Sequence, residues 1–346
     1  MEAPEALQVS GASPDRTDTI LRWLVVLAVA AVLALGGYFG YTVWQTRRSE
    51  LESTPTGRAI GDLKNKVRAN PNDAALRVRL GEAFASAGLT DDAIEQFRQA
   101  TKADPKHTGA YLDLGIMAMQ DKQPKTAEGY FNKVIELTTG VEFEQINQRR
   151  ETAFFYLGEI ALNAKRYEDA AANFKAAIRI RRDAADTYYL LAQALRGMER
   201  NDAAMKQLDA ALAFDPGYPE AHYLMGQIYL DDGDKINAAV HFRLAADGAP
   251  DQDLPQEALA ALGTADEALA RGKADEKAGS IPKAIEQALL ARALDPKSLD
   301  AVLFHAGLLV RANETSAAIK TYKEALRISP GNASAKAALA RLEPKK

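Results

Sequence analysis

The chain has no cysteine. That excludes a disulfide framework, a thiol nucleophile and any cysteine-ligated metal centre. It leaves the compartment open, because a protein on either side of a bacterial inner membrane can lack cysteine. Histidine is scarce as well: His107, His222, His241 and His305 are the only four. None stands i, i+4 from another, so no metal site is expected. A phosphate-cradling glycine loop and a nucleophile elbow are both missing. The acid pairs Asp91-Asp92 and Asp231-Asp232 fall in expected turns between helices, where carboxylates cap the helix that follows. The chain therefore reads as a non-enzyme with no cofactor. Nor is one charge in excess: 43 Lys and Arg stand against 47 Asp and Glu, net −4. These charges are scattered and form no basic face, which argues against a nucleic-acid partner.

Long hydrophobic runs are absent except for one. Trp23 to Trp44 is 22 residues without a charge. As a helix rising ~1.5 Å per residue it reaches about 33 Å, enough for a bilayer core. Tryptophan stands at each end, with Arg22 before and Arg47-Arg48 after, as interfacial anchors do. Residues 1–19 have no apolar period and read as a disordered tail, residues 20–46 as a single transmembrane helix, and residues 47–57 as a linker. A cleaved signal peptide is the rival reading, with Ala34-Leu35-Gly36 as its cleavage site. Against it, the apolar run continues through Tyr38, Phe39 and Val43. Arg16 and Arg22 precede the span, and Arg47, Arg48 and Arg58 follow it. That balance slightly favours the remainder of the chain on the cytoplasmic side of a bacterial inner membrane. Gly36 and Gly40 form a Gly-xxx-Gly pair through which two copies can touch as a homodimer.

From residue 58 onward the prolines set a period. Pro71 to Pro105, Pro216 to Pro250 and Pro296 to Pro330 are each 34 residues apart. Between the prolines one skeleton recurs. Leu80, Gly81 and Phe84 take helical spacing, then Ala93, Phe97 and Ala100 do so, and Asp104-Pro105 closes the unit. Leu157-Gly158, Ala170, Phe174 and Ala177 repeat the pattern, as do Gly226, Tyr229, Ala238, Phe242 and Ala245. Small residues belong where two helices press closest, and large ones fill the space to the next pair. Proline stops the second helix of each pair.

A 34-residue helix–turn–helix period with these residues resembles the tetratricopeptide repeat family, over roughly residues 57–332. The resemblance implies an all-α, right-handed α-solenoid. A half repeat would occupy 58–73, with Ala59, Leu63 and Val67 as its apolar face. Full repeats would follow at 74–107, 108–141, 151–184, 185–218, 219–252, 265–298 and 299–332. A cap at 333–342 would turn Ala337, Leu339 and Leu342 inward, and a tail would close at 343–346. The surplus Glu142–Arg150 reads as an extension of the next helix, and Asp253–Thr264 as a helix start. Arg271 and Ala288 depart from the pattern, so the sixth repeat is expected to stack loosely.

The resemblance also implies an inner groove lined by the first helix of each pair. Matching positions give three columns: Val78, Leu112, Phe155, Tyr189 and Tyr223; Glu82, Ile116, Glu159, Gln193 and Gln227; Met119, Leu162, Arg196 and Leu230. Apolar and aromatic side chains flanked by amides and carboxylates suit an extended or helical segment of a protein partner. The clamp that some members use for acidic C-terminal peptides needs Lys and Asn where this chain has Val78 and Glu82, so that ligand is not expected. The combined reading is a membrane-anchored scaffold that holds a protein partner at the bilayer. The alternative is an extracytoplasmic accessory factor of cytochrome c maturation that holds apocytochrome.

Overall fold

The computed structural model describes residues 16–343. Most of the tail expected at 1–19, and all but the first residue of the one expected at 343–346, lie outside them. Among the described residues the chain is all helical and has no strand. It divides into two compact units, Met1–Asp121 and Lys122–Lys346. Each contains a run of antiparallel helix pairs stacked on one another, the α-solenoid architecture.

In the first unit α1 (Arg16–Ser53) leads to α2 (Pro55–Ala69), and these precede α3 (Ala74–Ser86), α4 (Thr90–Ala103) and α5 (Thr108–Gln120). Helix α1 is continuous across 38 residues. Its described side chains from Trp23 to Phe39 are all exposed, Leu33 at 71% and Val29 at 54%. Among the described residues no helix is long and apolar enough to cross a membrane. Of the expected span 20–46, the side chains at 20–22, 40 and 43–46 lie outside the described ones. The expected linker 47–57 differs from what is found: α1 runs on to Ser53, and Thr54 alone breaks the helix. The Thr54 hydroxyl accepts from Gly57 N at 3.0 Å and Pro55 opens α2. Proline suits a helix's first position because no hydrogen bond is lost there. On α2 Gly57, Ile60 and Val67 are buried and Leu63 is half-buried, so the expected face holds at Leu63 and Val67, while Ala59 is exposed and Ile60 takes its place.

The second unit holds α6 (Pro124–Thr138), α7 (Gln148–Asn163), α8 (Tyr167–Ile180), α9 (Ala185–Gly197), α10 (Asn201–Phe214), α11 (Pro219–Asp231) and α12 (Lys235–Gly248). It continues with α13 (Asp253–Ala261), α14 (Ala265–Lys277), α15 (Ile281–Leu294), α16 (Leu299–Arg311), α17 (Thr315–Ile328) and α18 (Ala333–Leu342).

Two devices recur at the turns. First helices of a pair end in a residue with left-handed backbone: Gly88 (φ 73°), Lys165 (φ 58°), Glu199 (φ 59°), Gly233 (φ 83°), Gly279 (φ 79°) and Asn313 (φ 62°). The next N–H then reaches back to close the helix, as Arg166 N does to Ala161 O at 2.8 Å and Arg200 N to Leu195 O at 3.0 Å. This Schellman closure satisfies carbonyls that the helix end leaves free. Three second helices, α4, α10 and α15, end at Asp-Pro. The carboxylates of Asp104, Asp215 and Asp295 each accept from the backbone N–H two residues on, at 2.9, 3.1 and 2.9 Å. The aspartate folds the turn and the proline prevents the helix from continuing.

Within a pair, close approach is set by glycine facing phenylalanine sixteen residues later. A Cβ placed on Gly81, Gly158 or Gly226 stands 2.5 Å from a ring carbon of Phe97, Phe174 or Phe242 respectively. These three rings are fully buried. The sixth pair, α14–α15, lacks the ring because Ala288 stands there. Phe304 from α16 fills the space instead: a Cβ on Gly272 meets it at 2.9 Å. The expected looseness is therefore filled from the next repeat. Upstream of it α12 packs on α13 and α15, and Arg243 of α12 donates to the Ala293 carbonyl.

The surplus 142–150 only partly lengthens α7. Its first residues form a short 3-10 turn, Glu144–Ile146, after Phe143 takes a left-handed φ of 62°. Arg150 anchors that loop through Glu144 at 2.9 Å and the Ile135 carbonyl at 3.1 Å. At the chain's end α18 buries Ala335 and Leu339, while Ala337, expected inside, is exposed.

Candidate protein-binding surface

In the first unit, α3 and α5 carry the expected surface residues. Val78 is buried at 7% exposure and is a core residue rather than a contact surface. Glu82 is exposed, and Leu112, Ile116 and Met119 are half-buried.

In the second unit α7, α9 and α11 are the first helices of successive pairs. Phe155, Glu159, Leu162, Tyr189, Gln193, Arg196, Tyr223 and Gln227 are all half-buried, and Leu230 is 38% exposed. Their inner edges rest on a core already closed by Phe174, Leu191, Leu208 and Ile228. Phe155 meets Phe174 edge-on with ring centroids 6.2 Å apart, and Tyr223 tilts on Phe242 at 5.6 Å. Phe155 also packs edge-on to Tyr156 at 5.6 Å, and both rings stay half-buried, a usual posture of an aromatic contact residue.

The structure joins some of these residues directly. Gln193 donates to the Tyr189 hydroxyl. Arg196 donates to Gln227 and, at 2.8 Å, to Asp231, tying α9 to α11. A neighbour that sequence reasoning missed is Tyr218, whose ring stands edge-on to Tyr189 at 5.3 Å. A signal for it existed. Tyr218 occupies the N-cap position that Asp73, His107, Ser298 and Asn332 fill with capping side chains. Tyrosine caps nothing there, so its ring is left for another use.

The field around Tyr189 is negative. Burial raises the Glu159 carboxyl above the usual range, and Asp186 raises it further. Burial and Glu220 raise Tyr189, against a smaller opposite effect from the Gln193 bond. Tyr218 is raised well beyond the ordinary phenol by burial, then by Glu220, Tyr189, Asp186 and Asp215. None of these shifts has a positive charge among its causes.

Among the described residues no group of three or more metal-binding side chains gathers. His222 and His241 nevertheless meet Nδ1 to Nδ1 at 3.0 Å, joining α11 to α12. His222 Nε2 lies 3.1 Å from the Pro216 carbonyl, which can only accept. His222 therefore carries its proton on Nε2 and accepts from His241 through Nδ1. Burial, then His222, lower His241 to about 4, so His241 is neutral at neutral pH and the two rings clip α11 to α12.

Two family models described as tetratricopeptide repeat match the chain. One covers residues 161–228, and the other covers 49–101, 78–141 and 269–333. Together they take in about two thirds of the sequence. The chain belongs to the tetratricopeptide repeat family. Among curated proteins it is similar to the peroxisomal targeting signal receptor of Saccharomyces cerevisiae, 28% identical over 80 residues, covering 23% of this chain and 13% of that one. It is also similar to anaphase-promoting complex subunit 3 of Schizosaccharomyces pombe, 23% identical over 149 residues, covering 43% and 21%. The chain thus spans about a fifth or less of the length of these relatives. Among solved structures, YrrB, described as a TPR protein with an unusual peptide-binding site, superposes with a TM-score of 0.49 at 20% identity, covering 57% of this chain and 96% of that one. MamA does so at 0.44 and 24%, covering 50% and 95%. Family membership supports a scaffold for protein–protein interaction.

Proposed function

We propose that this chain is a tetratricopeptide-repeat scaffold, held at a membrane by its first helix, that captures a protein partner on the surface formed by α7, α9 and α11. The observation that carries the reading is the half-exposed row Phe155, Tyr189 and Tyr223 on three successive first helices, above a core that is already closed. Burying the free half of such rings is favourable by about 25 cal/mol per Å². Tyrosine adds a hydrogen-bonding tip at small entropic cost. The partner is an extended or helical segment, since the surface follows a run of parallel helices rather than a closed cavity. The reading assigns no reaction. The scaffold acts by tethering, which raises the partner's local concentration.

Support for the membrane anchor comes from residues 20–46, whose uncharged run Trp23–Trp44 belongs to one unbroken helix. From Trp23 to Phe39 its side chains have no protein cover, and a bilayer is the proposed one. Gly36 leaves open space where a Cβ would stand, which is room for a second copy and for the proposed homodimer through Gly36 and Gly40. The proposed location is a bacterial inner membrane with the repeats in the cytoplasm. Nothing on this surface favours the apocytochrome-holding alternative. Replacing Tyr189 and Tyr223 together with Ala tests the capture surface. Partner recovery in mild detergent is expected to fall at least about tenfold with helix content unchanged, and undiminished recovery would overturn the assignment.

A further inference from the structure

The surface on α7, α9 and α11 has a chemical preference of its own; the inference rests on the capture reading above. Tyr189 and Tyr218 stand edge to face at 5.3 Å and 62°, which makes an aromatic corner between α9 and the start of α11. Glu220 and Asp186 act on it directly, both raising the Tyr218 phenol, and Glu159 lies near enough to Asp186 to be raised by it. Glu159 comes from the middle of α7, Asp186 from the first turn of α9 and Glu220 from the first turn of α11. The cations nearby already have partners. Arg196 is bound to Gln227 and Asp231. Arg181 donates its Nε to Glu151 at 3.1 Å and reaches Asp186 only at 3.6 Å. Glu220 accepts from the amide of Gln252 at 3.5 Å. Among the described residues neither Glu159 nor Glu220 forms an ion pair. An aromatic corner beside acids of which Glu159 and Glu220 form no ion pair complements one kind of side chain: a cation whose face lies on the rings while its charge meets the acids. An acidic segment would meet like charge here.

We propose that this surface takes a basic segment of its protein partner, with an arginine or lysine side chain laid against Tyr189 and Tyr218 and its charge met by Glu159, Asp186 and Glu220. Beside that corner Phe155 and Leu162 offer apolar contact, so the segment combines apolar residues with the basic one. The raised Glu159 carboxyl agrees with an acid that lacks its counter-charge.

The test uses the full chain in detergent and three fluorescent peptides of one Leu/Ala helical design, whose polar positions hold arginine, glutamine or glutamate. Fluorescence anisotropy is expected to show the arginine peptide binding about tenfold or more tighter than the glutamine one, with the glutamate peptide weakest. Raising the salt should narrow the gap. In the combined variant Glu159→Gln, Asp186→Asn, Glu220→Gln the arginine peptide should fall to the glutamine level. Glu159→Gln alone, expected to cost about threefold, carries the test if the combined variant does not fold. Equal binding of the arginine and glutamine peptides would overturn the basic preference and leave the capture surface standing. Absence of binding by all three would also overturn it, and capture would then be judged separately by the Tyr189 and Tyr223 variant.

Discussion

Gly158 is where the packing argument is most exposed to test. An alanine Cβ there stands 2.5 Å from Phe174 Cε1, 2.7 Å from Cδ1 and 2.8 Å from Cζ. Carbon atoms in good contact sit about 3.5–4.0 Å apart, so one methyl group overlaps the ring by about 1 Å. Phe174 cannot swing away, because it is fully buried among Ala170, Ala171 and Ala177 and is edged by Phe155. Helices α7 and α8 must therefore separate. Overpacking of this kind costs about 1–3 kcal/mol, and the intrinsic helix gain of glycine to alanine returns about 0.5–1 kcal/mol. At the middle of those ranges the expected net for Gly158→Ala is a loss of about 1 kcal/mol, and Gly158→Leu should lose more. The control is Gly129→Ala on α6, which meets nothing within 4 Å. The same chemical change there should stabilise by about 0.5–1 kcal/mol. Stacked repeats need not unfold in one step, so denaturant titration should be read with amide exchange in α7 and α8. Shrinking the ring with Phe174→Leu should cost less in the Gly158→Ala background than in the native chain. A Gly158→Ala chain as stable as the native one, or shifted upward like Gly129→Ala, would refute the close-approach reasoning.

Other outcomes follow from particular contacts. Glu199 holds a left-handed backbone without being glycine, so Glu199→Gly should raise stability by about 1 kcal/mol in denaturant titration. Both His241 and His305 are lowered from 6.5 to about 4 by burial. The unfolded chain therefore binds more protons than the folded one between these values. Their contribution to stability is complete above about pH 6.5 and is lost as pH falls toward 4, and His241→Gln with His305→Gln should flatten that slope in melting curves. Arg292 joins three helices by bonding His305 at 2.6 Å and both Glu324 oxygens at 2.8 and 2.7 Å. Arg292→Ala should cost about 1–2 kcal/mol, and lysine, which cannot fork, should not restore it. A chain lacking residues 1–53 should leave the membrane fraction on carbonate extraction; retention there would contradict the proposed anchor. Reporter fusions after residue 346 should report the cytoplasmic side, and an extracytoplasmic signal would favour the apocytochrome-holding alternative.

Helix pairing was legible in the sequence because its causes are local. Proline after Asp104, Asp215 and Asp295 stops a helix wherever it stands, and glycine opposite phenylalanine at a fixed separation needs only one helix–turn–helix to meet. What escaped depended on neighbours far along the chain. Ala288 looked like a void because Phe304, which fills it, belongs to the next repeat. Tyr218 was missed because its partner, Tyr189, belongs to another helix. Val78 shared its column with Tyr189 and Tyr223 yet is buried, since a shared register position does not fix how far a helix is rolled toward its core. At single positions of otherwise expected faces, Ile60 is buried instead of Ala59 and Ala335 instead of Ala337. His222 and His241 stand nineteen residues apart, so only the packing of α11 on α12 brings their rings together.

The central claim, capture of a protein on the α7–α9–α11 surface, is tested most directly by site-specific photocrosslinking in the native host. A benzophenone amino acid would replace Tyr189 or Tyr223 in turn, with exposed Ala172 on α8 as the control position. The expected result is one discrete adduct, the same from both tyrosine positions and absent from the control, whose crosslinked peptide contains Arg or Lys. Adducts of equal yield at all three positions, or none at either tyrosine, would contradict the account.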